Sequence, residues 1–246
     1  MWLDPLFQNK VAQDVVATVI TLALALGWLR LIDALAARGL IEQRLSRKII
    51  HIGTGPLFVA CWNLFSAQLW ARWLAALVPL GITAQFVMVG VGLMKDEAAV
   101  KAMTRHGDRR EILKGPLYYG IVFVVCTLLF WRNSPVGILA LMLMCGGDGL
   151  ADVIGRKWGT AKLPFNASKS WIGSAAMALG SFAFGLGFVL LFNALGDFQP
   201  SLPLGPTVLK VAFISLAATV VEALPLPDID NLTTTIAAVL LGVLMF

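Results

Sequence analysis

Long apolar stretches, each near the length needed to cross a lipid bilayer, constrain this chain more than any other feature. A bilayer core about 30 Å thick takes roughly 20 apolar residues per helix. The segment at 52–65 is short for a span, so the pattern predicts an all-α, polytopic membrane helix bundle of about eight spans, within a range of seven to nine. The apolar segments lie at 14–36, 52–65, 69–93, 116–131, 135–154, 172–195, 208–224 and 233–246.

The composition excludes an ordinary soluble domain. Hydrophobic residues make up 59% of the 246 residues and charged residues 13%, against about 45–50% and 25% in typical globular proteins. Three cysteines without CxxC spacing and two histidines predict neither a disulfide framework nor a zinc site. The N-terminus lacks the basic region of a cleaved signal peptide. No repeat or composition change divides the chain, so we expect a single membrane domain over 1–246.

The basic residues predict the orientation in the membrane. The chain carries a net charge of +5, and 14 of its 19 Lys and Arg residues fall in three alternate connections, at 38–48, 95–114 and 156–169. Because such residues accumulate in cytosolic loops, these connections are placed in the cytosol and both termini outside. The bases form no single stripe, so nucleic acid is not an expected partner. A site built on them would open at the cytoplasmic face.

Two aspartates in an apolar segment indicate a metal site. Asp148 and Asp152 are four residues apart, so a helix would place both carboxylates on one face. Two like charges at that distance repel unless a cation bridges them, and ionisable groups in a membrane segment are costly. Mg²⁺ commonly takes one or two carboxylates together with substrate phosphates. The spacing therefore predicts Mg²⁺ as a cofactor.

Glycines and bases follow these aspartates in a pattern that suits a polyphosphate. Exposed backbone amides and flexible cations bind phosphate oxygens, and no Walker A sequence is present. An alternative interpretation is that the glycines allow close helix packing and the bases only set topology. The candidate phosphate-binding residues are Gly155, Arg156, Lys157, Gly159, Lys162 and Lys169.

Another basic cluster precedes the second apolar segment. Arg47 and His51 share one helical face, with Lys48 beside His51. These three residues are further candidates for binding the polyphosphate of a nucleotide. Alternatively, Arg47 and Lys48 are interfacial anchors and His51 is a neutral hydrogen-bonded residue.

An acidic cluster lies near the last apolar segment. Glu222, Asp228, Asp230 and Asn231 flank a stretch that Pro225 and Pro227 keep from being helical. A solvated turn in which Asp230 or Asn231 caps the final helix explains part of this cluster. It does not explain Glu222, which lies one turn inside apolar sequence.

These blocks together resemble a known family. The sequence is similar to the phytol kinase and dolichol kinase family of polyprenol kinases, which is distantly related to the membrane cytidylyltransferases that make CDP-diacylglycerol. Dolichol kinases carry the pattern DxxAxxxGxxxG, eight further residues, and KKTxEG. The first half is matched in full by Asp148, Ala151, Gly155 and Gly159. The second half reads Ser168, Lys169, Ser170, Trp171, Ile172 and Gly173.

The departures in the second half favour the phytol kinase branch over dolichol kinases. Ser168 replaces a lysine, Ser170 a threonine and Ile172 a glutamate. The blocks RKIIHIGTGPLF, LKGPLYYG and EALPLP followed by DNLT also resemble that branch. The resemblance covers four blocks in order, from about residue 46 to 235.

The resemblance implies an activity and a set of roles. It implies phosphoryl transfer from CTP, or UTP, to the terminal hydroxyl of phytol or a related isoprenoid alcohol taken from the bilayer, a salvage step toward tocopherol. Metal ligands would be Asp148, Asp152 and Asp230, and Lys169 would join them in catalysis. The hydroxyl proton would pass to Asp228, Asp230 or Glu222. The nucleotide would contact Gly155, Arg156, Lys157, Gly159, Lys162, Ser168, Lys169, Arg47, Lys48, His51 and Asn231.

Two other functions suit parts of the pattern. A cytidylyltransferase acting on a lipid phosphate would use the same metal and CTP, but would leave CMP on the lipid. A transporter would use its intramembrane acids as an ion pathway, although the charged groups cluster at one face and no inverted repeat is visible.

Overall fold

The computed structural model describes residues 2–104, 106–225 and 229–246, except the side chain of Asp230. These residues are mainly helical, with one short antiparallel hairpin of strands β1 (Lys162–Leu163) and β2 (Asn166–Ser170). The helices are α1 (Lys10–Ala37), α2 (Gln43–Cys61), α3 (Ala71–Val91), α4 (Glu97–Met103), α5 (Gly115–Leu129), α6 (Pro135–Met142), α7 (Gly149–Trp158), α8 (Trp171–Ala194), α9 (Leu204–Ala223) and α10 (Asp230–Met245).

The all-α membrane bundle predicted from the sequence is confirmed. Six helical segments among the described residues are long and apolar enough to span a bilayer. Two of the apolar segments predicted to span the membrane, at 52–65 and 233–246, fall on α2 and α10, which are not among those six. The six spans are Lys10–Ala37, Ala71–Val91, Arg109–Leu129, Pro135–Trp158, Trp171–Ala194 and Leu204–Ala223.

The span Pro135–Trp158 contains a π-helical segment that the sequence analysis did not predict. Leu143–Asp148 adopts π geometry between α6 and α7. All six of its residues are buried, as is every residue of α6. Such segments interrupt the regular helical ladder and are frequent at functional sites. Asp148 ends this segment.

Small residues let α8 pack closely against the π-helical segment. A side chain at Gly147 would overlap the Ser181 hydroxyl, and one at Gly146 would overlap the Phe184 ring. A Cβ at Gly180 would lie 2.9 Å from the carbonyl oxygen of Gly146. Close approach at small residues is a common packing mode of membrane helices, which cannot rely on the hydrophobic effect. The glycines on both helices therefore fix α8 directly over this segment.

The chain forms two compact units, and the single membrane domain over 1–246 stays a prediction. The first comprises Met1–Ile50 and Leu57–Leu128, and the second His51–Pro56 and Leu129–Phe246. Within the first unit, the buried Asp14 of α1 accepts hydrogen bonds from the Ser66 backbone amide at 2.6 Å and hydroxyl at 2.8 Å, and from the Trp70 indole at 3.1 Å. These bonds fix the start of α1 to the connection before α3.

Within the second unit, a buried ion pair joins two connections between helices. Arg132 Nε lies 3.4 Å from Asp197 Oδ1, and both side chains are less than a tenth exposed. Burial raises the pKa of Asp197, and the guanidinium of Arg132 opposes that rise. The pair therefore holds the connection after α5 to the connection after α8.

Replacing Arg132 by Gln should destabilise the protein more at pH 8 than at pH 5. Without the guanidinium the pKa of Asp197 rises further, so folding favours the protonated carboxyl and stability falls as the pH rises through that pKa. We expect a loss of about 3–5 kcal/mol at pH 8, measured by thermal unfolding in detergent. The control Lys10→Gln breaks the half-exposed pair with Asp4 and should cost less than about 1 kcal/mol. Equal losses at both pH values for Arg132→Gln would contradict this account.

Candidate active site

Asp148, the first predicted metal ligand, is held by His51. Its carboxylate Oδ2 lies 3.3 Å from His51 Nε2, and the same nitrogen lies 3.1 Å from the carbonyl oxygen of Met144. Because both neighbours accept hydrogen bonds, Nε2 carries the hydrogen. Asp148 is 9% exposed. His51, predicted to contact the nucleotide, therefore orients Asp148 in this structure.

Glycines bring the His51–Pro56 stretch of α2 against the helix that carries Asp148. A Cβ at Gly149 would lie 2.1 Å from Ile52 Cγ1, and one at Gly55 would lie 2.4 Å from Cys145 Sγ. Neither overlap is tolerable, so both positions require the absence of a side chain. The contact between His51 and Asp148 depends on this close packing.

Asp152 lies in the first turn of α7 and forms an ion pair with Arg156 one turn later. The side chain of Asp152 is 29% exposed and that of Arg156 is 38% exposed. The predicted repulsion between Asp148 and Asp152 is thus countered by a nitrogen partner for each carboxylate. Among the described residues, no three His, Cys, Asp or Glu side chains form a group that could hold a metal ion.

Gly155 and Gly159 pack against the start of α8. A Cβ at Gly155 would lie 3.3 Å from the Cα of Gly173, and one at Gly159 would lie 2.3 Å from the Ser170 hydroxyl. The amide of Gly159 donates to the carbonyl of Gly155 at 2.9 Å. The packing role raised as an alternative in the sequence analysis accounts for the contacts of both glycines.

The hairpin between α7 and α8 is built around Asn166, which the sequence analysis missed. Asn166 Oδ1 accepts hydrogen bonds from the Ser168 amide at 3.1 Å and hydroxyl at 2.6 Å. Its Nδ2 donates to the carbonyl of Ala223, the last residue of α9, at 3.0 Å. Ser170 ends the hairpin and caps α8 by accepting from the Gly173 amide. The sequence signal was an asparagine directly after the Pro-Phe turn.

Lys169 and Glu222 form an ion pair between strand β2 and the C-terminal turn of α9. The Glu222 side chain is 4% exposed and that of Lys169 is 24% exposed. A buried carboxylate requires such a partner, because an unpaired charge in this setting is strongly unfavourable. Asn166 and Lys169 together attach the hairpin to α9. The pairing explains why Glu222 lies inside apolar sequence.

The other predicted site residues lie on several elements. Lys157 lies over the ring of Trp158, 4.8 Å from its centroid, and Lys162 is exposed on β1. Asn231 is half-buried on α10. Arg47 and Lys48 are half-buried on α2 and belong to the first unit. Asp228 and the side chain of Asp230 lie outside the described residues.

Fold and site together define an integral membrane protein with buried acid–base pairs near the ends of α7, α8 and α9. No protein-family profile matches the chain, and no solved structure matches it. Several curated proteins match the chain. The chain is 47% identical over 238 residues to probable phytol kinase 1, chloroplastic, of Oryza sativa subsp. japonica, covering 95% of this chain and 74% of that protein.

Two relatives from Arabidopsis thaliana carry related names. Phytol kinase 1, chloroplastic, is 39% identical over 240 residues, covering 97% of this chain and 78% of that protein. Farnesol kinase, chloroplastic, is 39% identical over 241 residues with the same coverage. The chain belongs to the phytol kinase family, which confirms the resemblance noted in the sequence. It is therefore a kinase, a member of the phosphotransferases.

The packing role of Gly159 can be tested by adding one methyl group. Gly159→Ala should lower stability by about 1–3 kcal/mol, because the new Cβ overlaps the Gly155 carbonyl and the Ser170 hydroxyl. The matched control is Gly187→Ala on α8, where no atom lies within 4 Å of the added carbon. Thermal unfolding in detergent should show a lower melting temperature only for Gly159→Ala. A melting temperature equal to wild type would refute the close contact.

Proposed function

We propose that this protein phosphorylates the terminal hydroxyl of phytol, or of a related isoprenoid alcohol, to the monophosphate, with CTP or UTP as donor. The similarity to phytol and farnesol kinases over at least 95% of the chain carries this proposal. The relatives' names contain two isoprenoid alcohols, so the shared acceptor chemistry is a primary hydroxyl on an apolar tail. We further propose a place in phytol salvage toward tocopherol.

A membrane-embedded kinase suits an acceptor of this kind. The tail would remain in the bilayer beside the apolar helices, and its hydroxyl would reach the polar groups at the ends of the spans. Arg156 and Lys157 lie in the last turn of α7, Lys169 precedes the N-terminal end of α8, and Glu222 lies at the C-terminal end of α9. Asp148 and Asp152 lie at the N-terminal end of α7. The basic connection between α7 and α8 is one of those that the sequence analysis places in the cytosol. The reaction would then take place at the cytoplasmic face.

Phosphoryl transfer depends mainly on positioning and on neutralising the charge of the triphosphate. Lys169 is the base whose position is best defined, because Glu222 holds it and Asn166 fixes its strand. Arg156, Lys157 and Lys162 are more exposed, so their side chains can adapt to a nucleotide. We propose that Lys169 contacts the transferred phosphoryl group and that the exposed bases contact the rest of the triphosphate.

Asp148 and Asp152 would hold Mg²⁺, with Asp230 as a third candidate. The two described carboxylates lie one helical turn apart, and one or two carboxylates are what Mg²⁺ commonly takes from a protein when phosphates and water complete its shell. When bound, the ion would neutralise charge on the phosphates. His51 would keep Asp148 in a single orientation, and Arg156 would exchange Asp152 for a phosphate oxygen.

The role of Glu222 is narrowed by its contacts. The sequence analysis left Glu222, Asp228 and Asp230 as acceptors of the hydroxyl proton. Glu222 is 3% exposed and paired with Lys169, and protonating it would release that lysine. We therefore assign Glu222 the positioning of Lys169, and leave proton acceptance to Asp228 or Asp230.

The activity can be tested by expression in a host that lacks isoprenoid alcohol kinases. Membranes would be incubated with phytol, geranylgeraniol, farnesol or dolichol and each of the four nucleoside triphosphates. Label from γ-phosphate should appear in the lipid, whereas label from α-phosphate should not. With phosphatidic acid in place of the alcohol, lipid labelled only from the α-phosphate would instead identify a cytidylyltransferase. No labelled lipid from any pair of alcohol and nucleotide would refute the proposal.

Asp148→Asn should leave an inserted, folded protein with activity lower by roughly 100-fold or more, since loss of a metal carboxylate removes several kcal/mol of transition-state stabilisation. Turnover of the best alcohol and nucleotide measures the effect. Asp4→Asn is the control, because Asp4 is a partly exposed acid paired with Lys10 and should retain normal turnover. Near-normal turnover of Asp148→Asn would reject the metal assignment.

The positioning role of Glu222 predicts non-additive kinetics with Lys169. Lys169→Met and Glu222→Gln should each lower kcat, by roughly 10-fold or more. The double variant should be no slower than Lys169→Met alone, because Glu222 then has no lysine to hold. Steady-state kinetics with both substrates supply the comparison. Multiplying losses in the double variant would show that Glu222 acts independently of Lys169.

A further inference from the structure

The first unit contains a cavity that the proposed active site does not use. Its volume is about 640 Å³, within the range of about 300–1,000 Å³ typical of small-molecule sites. The start of α2, the C-terminal end of α3, α4 and the connection before α5 line it. None of its lining residues belongs to the predicted site.

Three bases line the cavity without a direct ion pair to a carboxylate of any described residue. Lys95, Lys101 and Arg109 are exposed, and none lies within 4.0 Å of a carboxylate oxygen of a described residue. Lys101 is near enough to Asp33 for an electrostatic interaction. The three positive charges are thus available to an anion.

The acids that line the cavity are largely engaged by the protein itself. Asp96 caps α4 by accepting from the Ala99 amide at 2.9 Å, and it also accepts from Gln85 Nε2 at 3.0 Å. Asp108 accepts from the Arg110 amide at 2.9 Å. Glu97 lies in the first turn of α4, where the helix dipole favours a negative charge. The lining therefore contains as many acids as bases, but the acids serve helix ends and turns.

The guanidinium of Arg109, which lines the cavity, lies against Gly92. A Cβ at Gly92 would lie 2.1 Å from Arg109 Nη1, and the residue has a φ of +87° that favours glycine. Arg109 thus lies directly against the backbone at the end of α3. A guanidinium presents a fork of donors that matches phosphate oxygens.

Part of the cavity lining is apolar. Val89 is 1% exposed and lines the cavity together with Met94 and Val100. Val89 lies in the last turn of a candidate membrane span. The cavity therefore combines apolar and basic lining residues at the end of a membrane helix, which is the level of lipid phosphates.

We propose that this cavity binds a phosphate group, held by Lys95, Lys101 and Arg109. The phosphate would belong either to an anionic lipid head group or to a soluble phosphate compound, since both present the same oxygens. None of the three bases is among the residues assigned to the proposed active site, and this proposal does not rest on the proposed function.

The test compares two triple variants of the purified full-length protein. K95Q/K101Q/R109Q removes the bases of the cavity. The matched control R38Q/R44Q/R110Q removes three exposed bases that do not line it, from the connections at 38–48 and 95–114. Native mass spectrometry in detergent would measure binding of phosphatidic acid against phosphatidylcholine, and calorimetry would measure binding of pyrophosphate. The cavity variant should bind the phosphate probe at least about 10-fold more weakly than wild type, and the control within about twofold.

The outcomes separate the sources of the phosphate. Loss confined to phosphatidic acid assigns a lipid site, and loss confined to pyrophosphate assigns a soluble ligand. Equal losses in the two triple variants, or no binding of either probe to the wild type, would overturn the proposal. The single variants K95Q and K101Q guard against misfolding, because both side chains are exposed and their removal leaves the packing intact. An unchanged affinity in both single variants and in the triple variant would equally overturn the site.

Discussion

A charged side chain buried in a membrane protein must have a partner, and this requirement organises the described structure. Asp14 accepts three hydrogen bonds, Asp148 contacts His51, Glu222 pairs with Lys169, and Asp197 pairs with Arg132. Each pair joins segments that are distant in sequence. Because breaking a buried pair costs several kcal/mol, these contacts fix which connections and helices adjoin within each unit.

Small residues allow the helices to approach closely enough for these pairs to form. Side-chain atoms need to come within about 3 Å to form a hydrogen bond, so the helices that carry them must approach closely. Gly149 and Gly55 allow the α2 segment that carries His51 to approach closely. Gly155, Gly159 and Gly173 allow the same for the cap of α8, which ends the hairpin carrying Lys169. Glycine packing and charge pairing are therefore two parts of one arrangement. Gly155 and Gly159, the glycines of the family pattern, contribute to this arrangement by packing against the start of α8.

The pairings also separate the polar side chains of the candidate site into two groups. His51 and Glu222 contact other polar side chains and hold them in place, whereas Arg156, Lys157 and Lys162 are exposed. A kinase needs both kinds of group, since the phosphoryl group must be positioned and the triphosphate must enter and leave. Acid–base pairs that are already formed before a nucleotide binds would position the groups that contact the phosphoryl group.

The sequence alone determined the membrane architecture, since each apolar segment reports its own environment through its length and composition. It also pointed to Asp148, Asp152, Lys169 and the family, because motif residues are close together in the chain. It did not reveal the π-helical segment at Leu143–Asp148, the role of Asn166, or the partners of His51 and Glu222. Those depend on contacts between residues about 50 to 100 positions apart, which arise only when helices pack. Tertiary structure alone decided which charge faces which, because a single sequence specifies the charges but not the distances between them.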